Sequence, residues 1–561
     1  MAKVTNPILQ GFHPDPCICR AKGKYYLITS TFEWYPGVSL YESDDLVHWS
    51  SRGGILHGIN LRGIPDSAGV WAPALTYDGE RFYLMYTIAK QIDGYFKDVK
   101  NYVITAEKIE GPWSEPVFVN ASGFDPAMYH EAGRHYVVNP MWDPRPLDGH
   151  RKFNGLILQE FDFEKGMIGK SEVIFPGSPR GGCEGPHLLK KDGWYYLLTA
   201  VGGTGRHHSI TVARSENLWG PYEVSPYDPL ITAWEKDTTL KKSGHGNFVE
   251  TPDGRWYMVH LCGRYLDRAD VCPLGRETAM QEIEWIDGWP RMIQGDDTPA
   301  DTVEIPDVAG AEINSGNTGE GCEKEGEEKR IREAGADYEI DFAAEGRRSL
   351  DGERSKAHGT LFTEQLYGEE WLALREDIGG KIRISTEGLH LTGGDSLTSL
   401  FDQSLLARRW TAFAFTAETE VVFYPYHYLQ TAGLTCYYNT KVFYYLNIGF
   451  DEKTGKRVIS ILKNDNMDFW ALPESEAVTV ENQTERIRLK AEVRQEKLTF
   501  YYALDDGEYV QIGPVMDASI LSDEHASGWA YTGATVGITA ADNFNKDTEA
   551  LFTYFRQRDD V

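Results

Sequence analysis

Long apolar runs are missing. No stretch of 18 apolar residues occurs in the 561-residue chain, which argues against a membrane-spanning helix. The opening Met1-Ala2-Lys3-Val4-Thr5 has none of the apolar core of a secretory signal. Cysteine is scarce and scattered, at 17, 19, 183, 262, 272, 322 and 436. There is no Cys-x-x-Cys pair, and Cys17-x-Cys19 is too tight for the usual zinc spacings, so free thiols in a reducing compartment are expected. Positive charge is in deficit, with 56 Lys plus Arg against 85 Asp plus Glu and a net charge of −29. Such a surface repels phosphate backbones and anionic lipid, so neither nucleic acid nor membrane is an expected partner. The sequence also has no Walker A loop and no nucleophile-elbow serine. Gly202-Gly203-Thr204-Gly205 leads into another strand-like segment, Ile210-Thr211-Val212-Ala213, where a phosphate cradle would need a helix. It reads as a loop at a pocket rim. His130-Glu131-Ala132-Gly133-Arg134-His135 has one residue too many to put both imidazoles on one helical face, as a zinc protease requires. A soluble, cytoplasmic protein is expected.

Aromatic residues and turn formers are plentiful: 31 Tyr, 24 Phe, 15 Trp, 56 Gly and 26 Pro. A turn-like stretch followed by an aromatic and an apolar strand recurs five times, with tyrosines at Tyr26, Tyr83, Tyr136, Tyr196 and Tyr257, spaced by 57, 53, 60 and 61 residues. Periods of this size, built from short strands, predict a five-bladed β-propeller over residues 1–305, because radial closure leaves few open sheet edges. Residues 306–337 are rich in Gly and Glu and poor in aromatics, and are expected to be a linker or loop. Residues 338–561 alternate with period two, as in Arg486-Ile487-Arg488-Leu489-Lys490-Ala491-Glu492-Val493, and predict a C-terminal antiparallel β-sandwich. No long amphipathic helix is expected, so the fold class is all-β.

Eleven or twelve residues before each repeated tyrosine stands a short motif: Asp15-Pro16, Ala72-Pro73, Asp125-Pro126, Glu184-Gly185-Pro186 and His245-Gly246. Equivalent positions in five blades face one axis, so Asp15, Asp125 and Glu184 are expected to meet. Three carboxyls suffice for glycoside hydrolysis: one acid, one base, and a third group that raises the acid's pKa by repulsion. Taken singly, an Asp-Pro pair simply opens a turn.

Asn6-Pro7-Ile8-Leu9-Gln10-Gly11-Phe12-His13-Pro14-Asp15-Pro16, Thr29–Gly37, Gly69-Val70-Trp71-Ala72-Pro73, Gly123-Phe124-Asp125, Cys183-Glu184-Gly185-Pro186-His187 and Cys272–Thr278 together resemble glycoside hydrolase family 43, above all its two-domain β-xylosidases. The resemblance extends to Ala432–Asn439 and Thr532–Gly537 in the second half. It implies an inverting exo-1,4-β-xylosidase that trims xylobiose and short xylo-oligosaccharides. Asp15 would then be the general base, Glu184 the general acid and Asp125 the group that tunes Glu184. Arg276 would grip sugar hydroxyls near Glu184 and Asp125, with Phe32 and Trp71 walling the terminal-sugar subsite. His245 would lie below the sugar, and Trp529 or Tyr531 of the sandwich would narrow the pocket. No cofactor is required on this reading; a calcium ion at His245 stays an open alternative. Where the family usually has Trp-Ala-Pro-Asp, this chain has Ala74, which removes a carboxylate expected near the mouth of the site. An α-L-arabinofuranosidase or a dual enzyme is the alternative within the class, and a non-catalytic sugar-binding protein is disfavoured because all three carboxylates are present. A homo-oligomer is expected.

Overall fold

The computed structural model describes residues 2–92, 96–145, 153–306, 337–350 and 358–560. The expected linker at 306–337 falls almost wholly outside them. Strands dominate. Five sheets begin with the strands Cys17–Ala21, Gly69–Tyr77, Ala127–Glu131, Cys183–Lys191 and Lys241–Glu250, and each continues outward through antiparallel neighbours. Each first strand touches the first strand of the next sheet, and Lys241–Glu250 returns to Cys17–Ala21, which closes a ring of five blades. Ala2–Thr5 pairs with Thr302–Ile305. Beside that ribbon the Asn6 amide donates to the Met280 and Ala300 carbonyls at 2.8 and 2.9 Å, tying the two ends of the ring.

The repeat has a local cause. In three blades the first hairpin turns through two residues that both have positive φ: Lys22-Gly23, Ala132-Gly133 and Asp192-Gly193. Turns of this hand match the twist of the two strands they join and fix the register between them. The repeated tyrosine after the turn is buried in every blade. His130 and His135 pair across one of these hairpins, with Nδ1 atoms 2.8 Å apart, so the rejected zinc motif is a strand–turn–strand.

The second part is a sandwich of two antiparallel sheets, one built around Ala414–Val422 and Glu549–Asp559, the other around Gln430–Asn439 and Thr535–Asp542. Ile487–Arg494 alternates buried and half-buried residues, so its period-two sequence becomes one face against the core and one toward solvent. Two short helices, Phe342–Leu350 and His358–Gly368, were not visible in the sequence pattern. Asp341 Oδ1 accepts the Ala344 N–H at 2.8 Å and caps the first. Among the described residues no helix is long and apolar enough to cross a membrane.

The two parts share backbone. Ala373–Leu374 of the second part pairs with Trp34–Tyr35 of the first. Gly11 and Gly275 have positive φ, and a Cβ at either would lie 2.4 Å from the Trp410 carbonyl oxygen or 2.5 Å from that of Thr532. The two parts meet closely there because these positions have no side chain.

Candidate active site

At the inner end of each blade the chain passes through one left-handed residue: Asp15 (φ 54°), Ala72 (33°), Asp125 (49°), Gly185 (53°) and His245 (39°). In three blades the register shifts at this point, between Trp71 and Ala74, Glu184 and His187, and Gly244 and Gly246. Left-handed backbone is uncommon for residues other than glycine and clusters at functional sites. The kinks re-aim side chains toward the axis. The fourth blade departs from the expected alignment: Gly185, not Glu184, occupies the left-handed position. A Cβ on Gly185 would lie 2.6 Å from the His245 ring, so glycine takes the kink and Glu184 stands one residue earlier.

Asp15 is buried. Its Oδ2 accepts the Ser30 hydroxyl at 2.7 Å and its Oδ1 faces Arg276 Nη1 at 3.0 Å. Burial pushes its pKa up, but Arg276, His245 and Ser30 together outweigh burial and hold it below the ordinary value. Ser30 Oγ also accepts the Ala72 N–H at 2.7 Å, so one hydroxyl links two blades at the axis.

Asp125 and Glu184 behave in the opposite way. Burial comes first for Asp125, then repulsion from Glu184 and Asp15, and its carboxyl is held well above the ordinary value. Glu184 is raised to about 7 by burial and then by the charge of Asp15, with Arg276 and Lys97 pulling it back. Asp125 Oδ2 accepts the Gly185 N–H at 3.1 Å. The Glu184 carboxyl is half-buried, and among the described residues no group donates to it. One low-pKa carboxylate thus faces two carboxyls whose pKa values are raised, which is the separation that acid–base pairs require.

The Arg276 guanidinium bonds Asp15, the Thr204 hydroxyl at 2.8 Å and the Tyr531 carbonyl at 3.1 Å, and its charge also acts on Glu184. Thr204 lies in the glycine-rich loop, which therefore borders the pocket. Phe32, Trp71 and Tyr531 form a triangle with ring centres 6.0–6.2 Å apart. Arg276 stands 5.4 Å from the centre of Phe32 and 5.5 Å from that of Tyr531. Tyr531 feels the charges of Glu184 and Asp15, while Trp529 meets its ring edge-on with centres 5.4 Å apart. Both sandwich aromatics named from the sequence reach the site, with Tyr531 in the aromatic triangle. Ala74 is 3% exposed and belongs to the same apolar cluster as Phe32 and Trp71.

Several site residues had no signal in the sequence. Lys97 Nζ lies 4.3 Å from the ring centre of Trp142, 4.7 Å from Trp529, 4.9 Å from Phe124 and 5.7 Å from Trp71. It sits in an irregular segment outside every quoted motif. Phe124 could have been found, because it precedes Asp125 in a motif already singled out.

His245 Nδ1 is 3.7 Å from Asp15 Oδ1. Burial holds this imidazole below its usual range, with the help of Arg276 and against the pull of Asp15. Calcium takes six to eight oxygen ligands. Here the nearest carboxylate is already engaged by Arg276 and Ser30, and no group of three or more potential ligands is spaced for a metal among the described residues. The donor set does not fit a calcium cage.

Comparison with known proteins agrees with the geometry. Residues 4–290 match "Glycosyl hydrolases family 43", and residues 360–558 match "Beta xylosidase C-terminal Concanavalin A-like domain". A curated relative from Humicola insolens, "Xylosidase/arabinosidase 43B", is 42% identical, and the alignment covers 100% of this chain and 98% of that one. The "Beta-xylosidase" of Bacillus subtilis (strain 168) is 37% identical over 99% of this chain and 100% of its own. The crystal structure of xylan beta-1,4-xylosidase from Bacillus halodurans C-125 superposes with a TM-score of 0.86 at 37% identity, covering 99% and 100% of the two chains.

Proposed function

The chain belongs to glycosyl hydrolase family 43, and from that premise we propose an inverting exo-1,4-β-xylosidase that removes the non-reducing-end xylose from xylobiose and short xylo-oligosaccharides. The observation that carries this reading is the split among three axial carboxyls: Asp15 is held low while Asp125 and Glu184 are held high, beside a triangle of aromatic rings. Asp15 takes a proton from water as the water oxygen attacks the anomeric carbon from the face opposite the leaving group. Glu184 gives its proton to the departing glycosidic oxygen. The carbon–oxygen bond to the leaving sugar breaks as the new one forms, and the released xylose carries the inverted anomer. Burial and the charge of Asp15 keep Glu184 an acid near neutral pH, and Asp125 accepts the Gly185 N–H beside it. Phe32, Trp71 and Tyr531 offer flat apolar faces to the sugar, and Arg276 orients Asp15. The buried His245 ring lies beside Asp15, with Nδ1 3.7 Å from Oδ1. The hydrolysis needs no cofactor, so exhaustive chelation should leave the rate unchanged.

A dual activity on α-L-arabinofuranosides is the second reading, favoured by the name of the 42% identical relative. Side-by-side kcat/KM on nitrophenyl β-xyloside and nitrophenyl α-arabinofuranoside separates the two, and a strong preference for the arabinoside would overturn the substrate assignment. NMR of the anomer first released from xylobiose tests inversion. The six described cysteines are free and five are buried, which supports a reducing, cytoplasmic setting where short imported oligosaccharides are finished. Light scattering of the purified chain tests the expected homo-oligomer.

A further inference from the structure

Behind the aromatic triangle, where the sandwich meets the propeller, lies a buried polar cluster with no part in the chemistry above. Glu33 is 1% exposed, and its Oε2 accepts the Ser67 N–H at 3.0 Å. Arg375, from the sandwich side, is fully buried. Its Nη2 donates to Asp66 Oδ1 at 2.8 Å, its Nε to the Ile64 carbonyl at 2.8 Å and its Nη1 to Gln403 Oε1 at 3.1 Å. The Arg375 N–H donates to the Glu33 carbonyl at 2.8 Å.

Ser67 distributes this anchoring to the pocket. Its carbonyl accepts the Trp71 indole N–H at 3.0 Å, and its hydroxyl accepts the Tyr531 backbone N–H at 2.9 Å. Phe32 is the chain neighbour of Glu33 and exchanges two backbone hydrogen bonds with Val70, at 2.9 and 3.0 Å. All three wall rings therefore hang on the two segments that the Glu33–Ser67 contact joins. Ser67 itself is left-handed, at φ 60°, a conformation that persists only where its surroundings enforce it.

We propose that Glu33 and Ser67 are positioning residues for the terminal-sugar subsite: through the Ser67 amide, carbonyl and hydroxyl they hold Phe32 and Trp71 of the propeller and Tyr531 of the sandwich in one pocket wall. The inference rests on reading this pocket as the sugar site. Burial first, and then Asp66, push the Glu33 carboxyl up to about 8, with Arg375 opposing, so the neutral form is the one present at pH 7. A glutamine at this position should accordingly serve almost as well, whereas an alanine should not.

The test uses the full chain and three variants. Ser67→Gly keeps the amide and carbonyl, suits the left-handed backbone and removes only the hydroxyl. Glu33→Ala removes the acceptor, and Glu33→Gln retains it. Losing one neutral hydrogen bond should raise KM for nitrophenyl β-xyloside about fivefold in Ser67→Gly and Glu33→Ala, with kcat changed less than about twofold. Both limbs of the pH profile should stay where they are, because no catalytic carboxyl is touched. Hydrogen exchange at the Tyr531 amide should quicken in Ser67→Gly, and Glu33→Gln should match the parent in KM. An unchanged KM and unchanged exchange in Ser67→Gly would overturn the proposal, as would a fall in kcat with a displaced pH limb. If Glu33→Ala does not fold, Ser67→Gly decides alone. A parent protein that cleaves no glycoside would overturn the assigned activity, while exchange at Tyr531 would still judge the anchoring.

Discussion

Arg276 and Asp15 are 261 positions apart in sequence, and their side chains meet at 3.0 Å beside the propeller axis. The same guanidinium reaches the Tyr531 carbonyl of the sandwich, so one cation sets the charge of the water-activating carboxylate and also fastens the second domain to the site.

Replacing Arg276 with glutamine should move the acidic limb of kcat/KM toward neutral pH. The Asp15 pKa is low only because Arg276 and its neighbours outweigh burial, and without the cation burial prevails and the carboxylate protonates at higher pH. Removing a hydrogen bond to a charged group should also cost roughly 10- to 100-fold in kcat/KM. An unmoved acidic limb in the pH–rate profile would contradict the role given to this pair.

Asp125→Asn should leave the alkaline limb near its place. Burial and the charge of Asp15 push Glu184 up to about 7, whereas Asp125 is itself held well above the ordinary value, so its removal takes little charge from beside Glu184. The measurement is kcat/KM for xylobiose from pH 5 to 9.

Glu184→Gln should lose about 10²–10⁴ in kcat on xylobiose, the usual contribution of a general acid. On a xyloside of dinitrophenol the loss should be much smaller, since that leaving group departs without a proton. Equal losses on both substrates would mean that Glu184 does not protonate the leaving oxygen.

Glu33 makes a pH-dependent contribution to stability with a definite sign. The folded protein keeps the Glu33 proton up to about 8, while the unfolded chain releases it near the ordinary 4.5. Between those values the unfolded state binds fewer protons, so this group lowers stability as pH rises. The groups facing it are Asp66, Arg375, Tyr437 and Tyr438. Thermal melting of the parent and of Glu33→Gln across pH 5–8 should show the parent losing more Tm than the variant.

Arg375→Met should destabilise the protein by about 3–5 kcal/mol, because it leaves the Asp66 charge buried without its partner. Adding Asp66→Asn should recover part of the loss. Urea unfolding of the two single variants and the double variant measures this coupling.

Much of this site was legible in the chain because the repeat is a hairpin repeat: turn residues and a buried tyrosine return with each blade, and the axial motifs return with them. Register within a motif was less legible. Glu184-Gly185-Pro186 allows either of its first two residues to take the kink, and only the nearness of the His245 ring requires glycine there. The motif around Arg276 identified the residue but not its partner, since an arginine has several carboxyls within reach of one axis. Lys97 gave no signal because irregular backbone has no period. Glu33 lay inside a recognised motif, yet a carboxylate whose partners are a backbone amide and a distant arginine looks the same in sequence as an exposed one. The helices Phe342–Leu350 and His358–Gly368 are too short, and too mixed in composition, to stand out from loops.

The strand pair between Trp34–Tyr35 and Ala373–Leu374 constrains how the two halves can be recombined. A gene fragment coding for the ring alone would yield a raw sheet edge and a pocket open on one flank. Swapping either half between relatives should therefore succeed only when the glycine-lined seam at Gly11 and Gly275 travels with it.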